Sequence, residues 1–512
     1  MAKKGRIPPQ DAMFLWGETA ETMMHVASVM PFTPPADAGP TYLRDMVAEI
    51  RRAPVVSPWN LKLAHPHFLA HPLQAWVEDD TIDIDYHVRR SALASPGDER
   101  ELGILVSRLH STQLDFSKPP WEIHFIEGLS GGRFAIYTKV HHALVDGFSA
   151  VKAASRCMSV DEHQLHMPLF FSQGVPRRPR TAVPPKSLMD QVTGPVTDVV
   201  KGLGAVATTG ADFARAAVRL GMDKRKDPEV VDSVSAPQTI LNGRTGRSRR
   251  LATQQYEMAR IRAVGERSGG TVNDVVMAIC GGGLRTFLSE QGELPSKPLI
   301  AFMPVNIRNE GDEGGGNMVG ASLATMGTDI ADPIKRLEAV IASTRQAKAS
   351  MKGMGQLSAL AWSGYMLAPQ APQVISSMFG VPNPLPVAFN VCLSNVPGPR
   401  ERMYFNGSAL EAIYPMSIPI HGMALNITLE SYADTLNFGF IGCRDAVPSL
   451  QNLAVATGQA LEELEAAYAA LDAKPARKSI PKTAAAKKVA AKRVAAKKAA
   501  PKKRAAKKSA GR

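Results

Sequence analysis

Between about Ser172 and Ser235 the apolar patterning of the chain gives way to proline and charge. The stretch opens with Gly-Val-Pro-Arg-Arg-Pro-Arg-Thr-Ala-Val-Pro-Pro-Lys and closes with Asp-Lys-Arg-Lys-Asp-Pro-Glu. Such composition marks a linker, and a chain of 512 residues, 45% apolar, has material for a core on either side. The expected organisation is therefore two domains, residues 1–171 and 236–472, joined by a crossover over 172–235. Inside the break Val192, Val196, Val199, Val200, Leu203 and Val206 recur at helical intervals. The crossover is thus expected to carry one or two helices that pack on a domain, with membrane-surface docking as the alternative.

Residues 473–512 form a separate tail. From Lys474 to Arg512 there are 16 Lys and Arg and no Asp or Glu, interspersed with small residues. Nothing there can build a core, so the tail is expected to be disordered. Without it the formal charge of +13 becomes 44 basic against 47 acidic residues, a body at −3. The tail resembles lysine-rich histone-like tails. Nonspecific polyanion binding is expected of it, to nucleic acid through counterion release or to anionic lipid.

Other classes are disfavoured by what is missing. Cys157, Cys280, Cys392 and Cys443 lie far apart, without a spacing for zinc, a redox motif or a disulfide framework, which fits a reduced, cytoplasmic setting. The basic amino terminus runs into Asp11, Glu18 and Glu21 rather than an apolar secretion signal, and no uninterrupted apolar run is long enough to span a membrane. No repeat suggests a solenoid or propeller.

Periodicity predicts mixed α/β elements. In the first half, Thr81–Val88 alternates as a strand, Arg100–Thr112 has helical spacing, and Trp121–Gly128 and Arg133–His142 read as strands joined by a Leu-Ser-Gly-Gly turn. In the second half, Thr271–Leu288 reads as a helix, and Leu299–Val305 and Phe389–Ser394 as buried strands. Leu425–Tyr432 and Leu436–Ile441 form a hairpin around Ala433-Asp434, and leucines from Leu450 to Leu471 mark a closing helix. Gly281, Gly282 and Gly283 each weaken a helix by about 1 kcal/mol, so a close-packing role is expected.

The chemistry concentrates at His141-His142-Ala-Leu-Val-Asp146-Gly147. Alternation along the preceding strand places His142 with Phe134, Ile136, Thr138 and Val140, and His141 on the opposite face. A partly desolvated imidazole stays neutral and can act as general base. Asp146 caps the following helix or bonds a nearby cation, and Gly147 permits close backbone approach. Metal binding is disfavoured, since adjacent strand histidines diverge and Asp146 is the lone nearby carboxylate. No Gly-x-Ser-x-Gly nucleophile elbow occurs.

His-His-x-x-x-Asp-Gly resembles the signature of the coenzyme A-dependent acyltransferase superfamily. That superfamily includes chloramphenicol acetyltransferases, peptide-synthetase condensation domains and the bacterial wax ester synthase/diacylglycerol acyltransferases. Companion segments narrow the resemblance to the last of these. They include Phe14-Leu15-Trp16-Gly17-Glu18 with Met24-His25-Val26, Pro119-Pro120-Trp121-Glu122 with Pro120 in place of the usual Leu, and Arg249-Arg250. Further along come Thr271-Val272-Asn273-Asp274-Val275, Pro304-Val305-Asn306-x-Arg308, Gly316-Asn317, Ser394-Asn395-Val396-Pro397-Gly398-Pro399 and Gly422-x-x-Leu425-Asn426-Ile427. The likeness spans about residues 9–470.

The resemblance implies an α/β (α+β) fold of two chloramphenicol-acetyltransferase-like domains joined by a helical crossover, with His142 in a tunnel between them. It implies transfer of a long-chain acyl group from acyl-coenzyme A, a substrate rather than a cofactor, to diacylglycerol or a fatty alcohol. His142 would deprotonate the acceptor, with His141, Asp146 and Gly147 in support. Asn273 and Asp274 either organise the site or cap their helix. Trp121 either walls the acyl pocket or packs within its domain. No metal or cofactor is implied, and the protein is expected to be cytoplasmic, peripherally bound to the inner membrane or to lipid inclusions. Two alternatives remain open: a condensation-type enzyme using carrier-bound acyl groups, and a non-enzymatic lipid-droplet or nucleoid adaptor.

Overall fold

A computed structural model of the chain describes residues 5–145, 147–174, 215–227, 230–306, 319–381 and 385–473. They fall into a unit ending at Glu465 and a second beginning at Ala466, which contributes the end of the helix Leu450–Ala473. The basic tail, Val192 to Val206 of the crossover, Asp146, Arg308 and Gly316-Asn317 lie outside the described residues.

Two large sheets carry the first unit. One runs, in order, Tyr404–Phe405, Ser408–Leu410, His25–Thr33, Phe134–His141, Trp121–Glu127 and Val88–Ala92, with Tyr414–Met416 also paired to His25–Thr33. The other runs Val319–Thr325, Ile300–Asn306, Val391–Val396, Leu425–Tyr432, Thr435–Cys443 and Arg249–Glu257. A small third sheet joins Gly5–Arg6, Ala75–Glu78 and Leu61–Leu63. Mixed α/β architecture with separate sheets is thus as expected.

The alternation of Phe134–His141 is realised on both faces. Phe134, Ile136 and Val140 sit in a core with Met30, Phe32 and Phe125, whereas Ala135 and Tyr137 pack with Val29, Leu102 and Val106. Leu102 and Val106 come from the helix Glu99–His110, whose Asp98 cap accepts the Glu101 N–H at 3.0 Å. Because helices or loops cover both faces, this central strand is buried at every position but the half-buried Thr138 and looks unlike a half-solvated one.

The helix Val272–Glu290 begins at Thr271 in a capping box with Asp274. Its three glycines have the expected packing role. A Cβ on Gly283 would lie 2.9 Å from Thr457 Cα and N, one on Gly282 2.7 Å from Ala460 Cβ, and one on Gly281 3.0 Å from the Met326 carbonyl carbon. The hairpin Leu425–Tyr432 and Thr435–Cys443 turns on Ala433 at φ 48°.

One sequence expectation changes. Thr81–Val88 is not one strand: Ile84–His87 is a helical turn and the strand is Val88–Ala92. Asp83 accepts the Tyr86 N–H with its side chain at 3.2 Å, diverting the backbone from a ladder into a capped turn. Within the crossover, residues 215–226 are helical, and Ala216 and Leu220 pack in a core with Trp362 and Met366. The strands of 404–416 also join the sheet built mainly from the amino-terminal half, a long-range pairing that local pattern does not encode.

Candidate active site

The histidine pair lies where two antiparallel strands end together. His25 is opposite His141 in the ladder, and the next residue, His142, donates its backbone N–H to Met24 O at 2.9 Å. On the other side His141 N–H reaches Pro120 O at 3.0 Å. The strand stops at His141, so His142 opens the turn instead of closing the strand. That corrects its expected place on the buried strand face: His142 is half-buried, and His141 is the enclosed member at 1% exposure.

Each ring contacts the segment Pro9–Gly17 or the residue that follows it. Phe14 stacks on His142, with centroids 4.1 Å apart and planes within 11°. Glu18 caps the end of that helix, and its Oε2 faces His141 Nε2 at 3.5 Å. His141 Nδ1 accepts the Ala143 N–H at 3.2 Å, so the proton of the neutral ring belongs on Nε2, toward the carboxylate. Glu18 is itself fixed by the Met24 N–H and by Gln113 Nε2 at 2.7 Å. Phe116 meets the edge of the His141 ring at 5.2 Å.

Behind His141, on the same strand face, lies a buried polar network. Lys139 is fully enclosed, forms an ion pair with Glu122, and donates to Leu109 O at 3.0 Å and Thr112 O at 2.9 Å. Burial pushes Glu122 upward, but His124 and Lys139 outweigh it and hold the carboxyl at about 2. Burial, assisted by Lys139, lowers His110 to about 3, while burial, His110 and Lys139 hold His25 well below the ordinary histidine value. Both rings are neutral at physiological pH and act as hydrogen-bonding parts: His25 Nε2 contacts His110 O at 3.0 Å and His110 Nδ1 contacts Tyr137 OH at 3.1 Å.

The other expected residues separate by role. Gly147 begins the helix Gly147–Ser155 directly after the motif. Asp274 lies at the third position of its helix, accepting Thr271 N–H at 2.7 Å, Thr271 Oγ1 at 2.8 Å and Thr344 Oγ1 at 2.6 Å. These bonds tie two helices together and serve the capping reading, with Thr271 as the N-cap. Asn273 instead reaches out, its Oδ1 accepting from Asn395 Nδ2 at 2.7 Å across to the strand Val391–Val396. Trp121 packs within its domain. Its indole is fully buried, stacks on His87 and Phe171, and donates Nε1–H to Trp59 O at 2.7 Å.

Phe14 and Glu18 had no assigned role in the sequence reading, although both stand in the opening segment that carried the family likeness. Their order before Met24-His25 was the available signal. Among the described residues, no group of His, Cys, Asp and Glu could hold a metal ion.

Comparison with known proteins shows what the chain resembles as a whole. The profile of the wax ester synthase/diacylglycerol acyltransferase catalytic domain matches residues 7–276, and that of the family's C-terminal domain matches residues 315–465. A Mycobacterium tuberculosis protein with a diacylglycerol O-acyltransferase designation is 52% identical over 488 residues, covering 90% of this chain and 97% of its own length. The O-acyltransferase WSD of Acinetobacter baylyi is 38% identical over 456 residues, covering 87% and 93%. The solved wax ester synthase/diacylglycerol acyltransferase of Marinobacter aquaeolei superposes with a TM-score of 0.70 at 34% identity, covering 90% of this chain and 99% of that one. The first condensation domain of the CDA synthetase shares the fold, with a TM-score of 0.51 at 14% identity over 91% and 96% of the two chains.

Proposed function

The chain belongs to the wax ester synthase/diacylglycerol acyltransferase family, which makes triacylglycerol or wax ester from acyl-coenzyme A, and we propose that His142 is the general base of that transfer. One observation carries this reading: of the two histidines, His142 is anchored by backbone and ring yet keeps partial exposure, while His141 is enclosed.

In the proposed reaction the neutral His142 imidazole takes the proton from the acceptor hydroxyl as its oxygen attacks the thioester carbonyl. The carbon–sulfur bond then breaks, and the imidazolium returns its proton to the departing coenzyme A thiolate. No acyl-enzyme forms. Since the thioester is already activated, the protein's work is alignment of two hydrophobic substrates and stabilisation of the oxyanion. The His141–Glu18 contact supports a positioning role for His141, and Asp146 and Gly147 are assigned to shaping the loop. Asn273, held through its oxygen by Asn395, is assigned to organising the site.

We further take residues 1–171 and 236–472 as the two acyltransferase-like domains, with 172–235 as their crossover. The acceptor, diacylglycerol or a fatty alcohol, is a lipid, which supports work at a membrane or lipid-inclusion surface. The composition of residues 474–512 supports polyanion binding by the tail.

The test is His142→Ala, assayed with palmitoyl-coenzyme A and a mixed set of acceptors. Ester formation should fall by about 100-fold or more with folding preserved. Turnover at the wild-type rate would remove His142 from the chemistry.

A further inference from the structure

We propose that the outer face of two consecutive helices, Gln356–Leu367 and Gln370–Met378, docks on the surface of a lipid bilayer. Both helices are inverted relative to a water-facing helix, which turns its polar residues outward.

In Gln356–Leu367 the serines are inside. Ser358 and Ser363 are buried beside Trp362 and Met366, and Ser363 Oγ accepts the Ala321 N–H at 2.8 Å while donating to Ala359 O at 2.7 Å. The exposed positions are Leu357, Leu360, Ala361, Gly364 and Tyr365, one stripe at helical spacing with no charge. Gln370–Met378 repeats the arrangement. Gln370 and Gln373 point inward, donating to Gly422 O at 3.0 Å and to Asn242 O, whereas Ile375 and Met378 are exposed. The helix ends on Phe379, which is 75% exposed. Ser363 Oγ, Gln370 Nε2 and Gln373 Nε2 thus find internal partners, while Leu357, Leu360, Ile375, Met378 and Phe379 are left exposed.

Charge selects a lipid surface as that partner. Residues 353–399 contain no Asp, Glu, Lys or Arg, yet the stretch follows directly on Lys348 and Lys352. The helix over 215–226, packed on the same core, exposes Val218 and Met222. It also carries Arg215, Arg219, Arg225 and Lys226, besides Lys224, which is ion-paired with Asp232, against the acids Asp223 and, just past its end, Asp227. An uncharged centre with a basic rim matches acyl chains bordered by anionic headgroups. A second copy on this face would set basic rim against basic rim, which like-charge repulsion opposes. The docking inference rests on the acyltransferase reading only in that such a site would sit beside the source of its lipid substrates.

Flotation of the full chain with vesicles of phosphatidylcholine and about one third phosphatidylglycerol tests it. Salt of about 0.5 M screens the basic tail and isolates apolar insertion. The variant Leu360→Glu/Ile375→Glu/Phe379→Glu should partition at least about tenfold less than wild type, with unchanged thermal unfolding. The native cysteines are buried, so Phe379→Cys takes an environment-sensitive dye selectively, and its emission should shift to the blue on vesicles. Flotation of the triple variant at the wild-type level, or no shift from the dye, overturns the proposal. So does a triple variant that floats normally but has lost a dimer present in wild type, since the face would then belong to a second copy. Both proteins are also assayed with detergent-dissolved hexadecanol, where equal rates are expected. Absence of ester in both would defeat the acyltransferase reading and leave flotation to decide docking by itself.

Discussion

The carboxylate of Glu18 stands 3.5 Å from Nε2 of His141, at the point where that ring's other nitrogen already accepts the Ala143 N–H. The contact fixes the tautomer and orientation of a histidine next to the proposed base. Glu18→Gln should therefore lower kcat by about 10- to 100-fold while leaving KM near wild type, in line with outer contacts that orient a functional ring. Steady-state kinetics with palmitoyl-coenzyme A across pH separates this from a folding defect, because a positioning loss appears in kcat and in the pH profile. A variant with wild-type kcat would reduce Glu18 to a strand anchor.

Gly283→Ala should destabilise the protein. Ala gains about 1 kcal/mol of helix propensity, but the new Cβ would meet Thr457 Cα and N at 2.9 Å. Those are backbone atoms of a packed helix and cannot rotate away, so overpacking of about 1–3 kcal/mol outweighs the gain. Urea unfolding should show a lower midpoint with unchanged slope, and Thr457→Ala should not rescue it.

Glu430 predicts a pH-dependent stability. It is buried on the strand Leu425–Tyr432, and burial raises its carboxyl from the ordinary 4.5 to about 8. The folded state therefore holds a proton that the unfolded state releases. This contribution is full below about 4.5, falls as pH rises and is lost above about 8. Glu430→Gln should flatten that decline and raise the stability most at alkaline pH, by an amount on the order of several kcal/mol, with a higher melting temperature there. Parallel melting curves of the two proteins at acidic and alkaline pH check the sign; a gap that does not widen with pH would show that Glu430 is ionised in the fold.

Deleting residues 474–512 should leave turnover on detergent-dissolved acceptors at the wild-type rate and abolish the strongly salt-dependent part of binding to nucleic acid or anionic vesicles. Lost turnover in a folded truncation would bring the tail into the catalytic machinery.

Much of the site was legible because local pattern encodes local structure. Apolar alternation marked the strand that ends at His141, and three successive glycines announced close helix packing. Asp83 shows where this fails. The alternation of Ile82, Ile84 and Tyr86 mimics a strand, but one side-chain bond from Asp83 to the Tyr86 N–H converts it into a turn. His142 shows a finer failure, since a one-residue difference in where the ladder stops exchanged the enclosed histidine for the half-exposed one.

By itself, then, the sequence determined the motif, the periodic elements and the family likeness, all of which depend on residues near one another in the chain. Tertiary structure alone decided that Phe14 would stack on His142 and Glu18 would face His141. It also decided that Tyr414–Met416 would pair with His25–Thr33, and that Ser363 and Gln373 would turn inward while Leu360 and Ile375 turned out. Such contacts join segments distant in sequence, and which polar group finds a partner is settled only when the sheets and helices have closed around it.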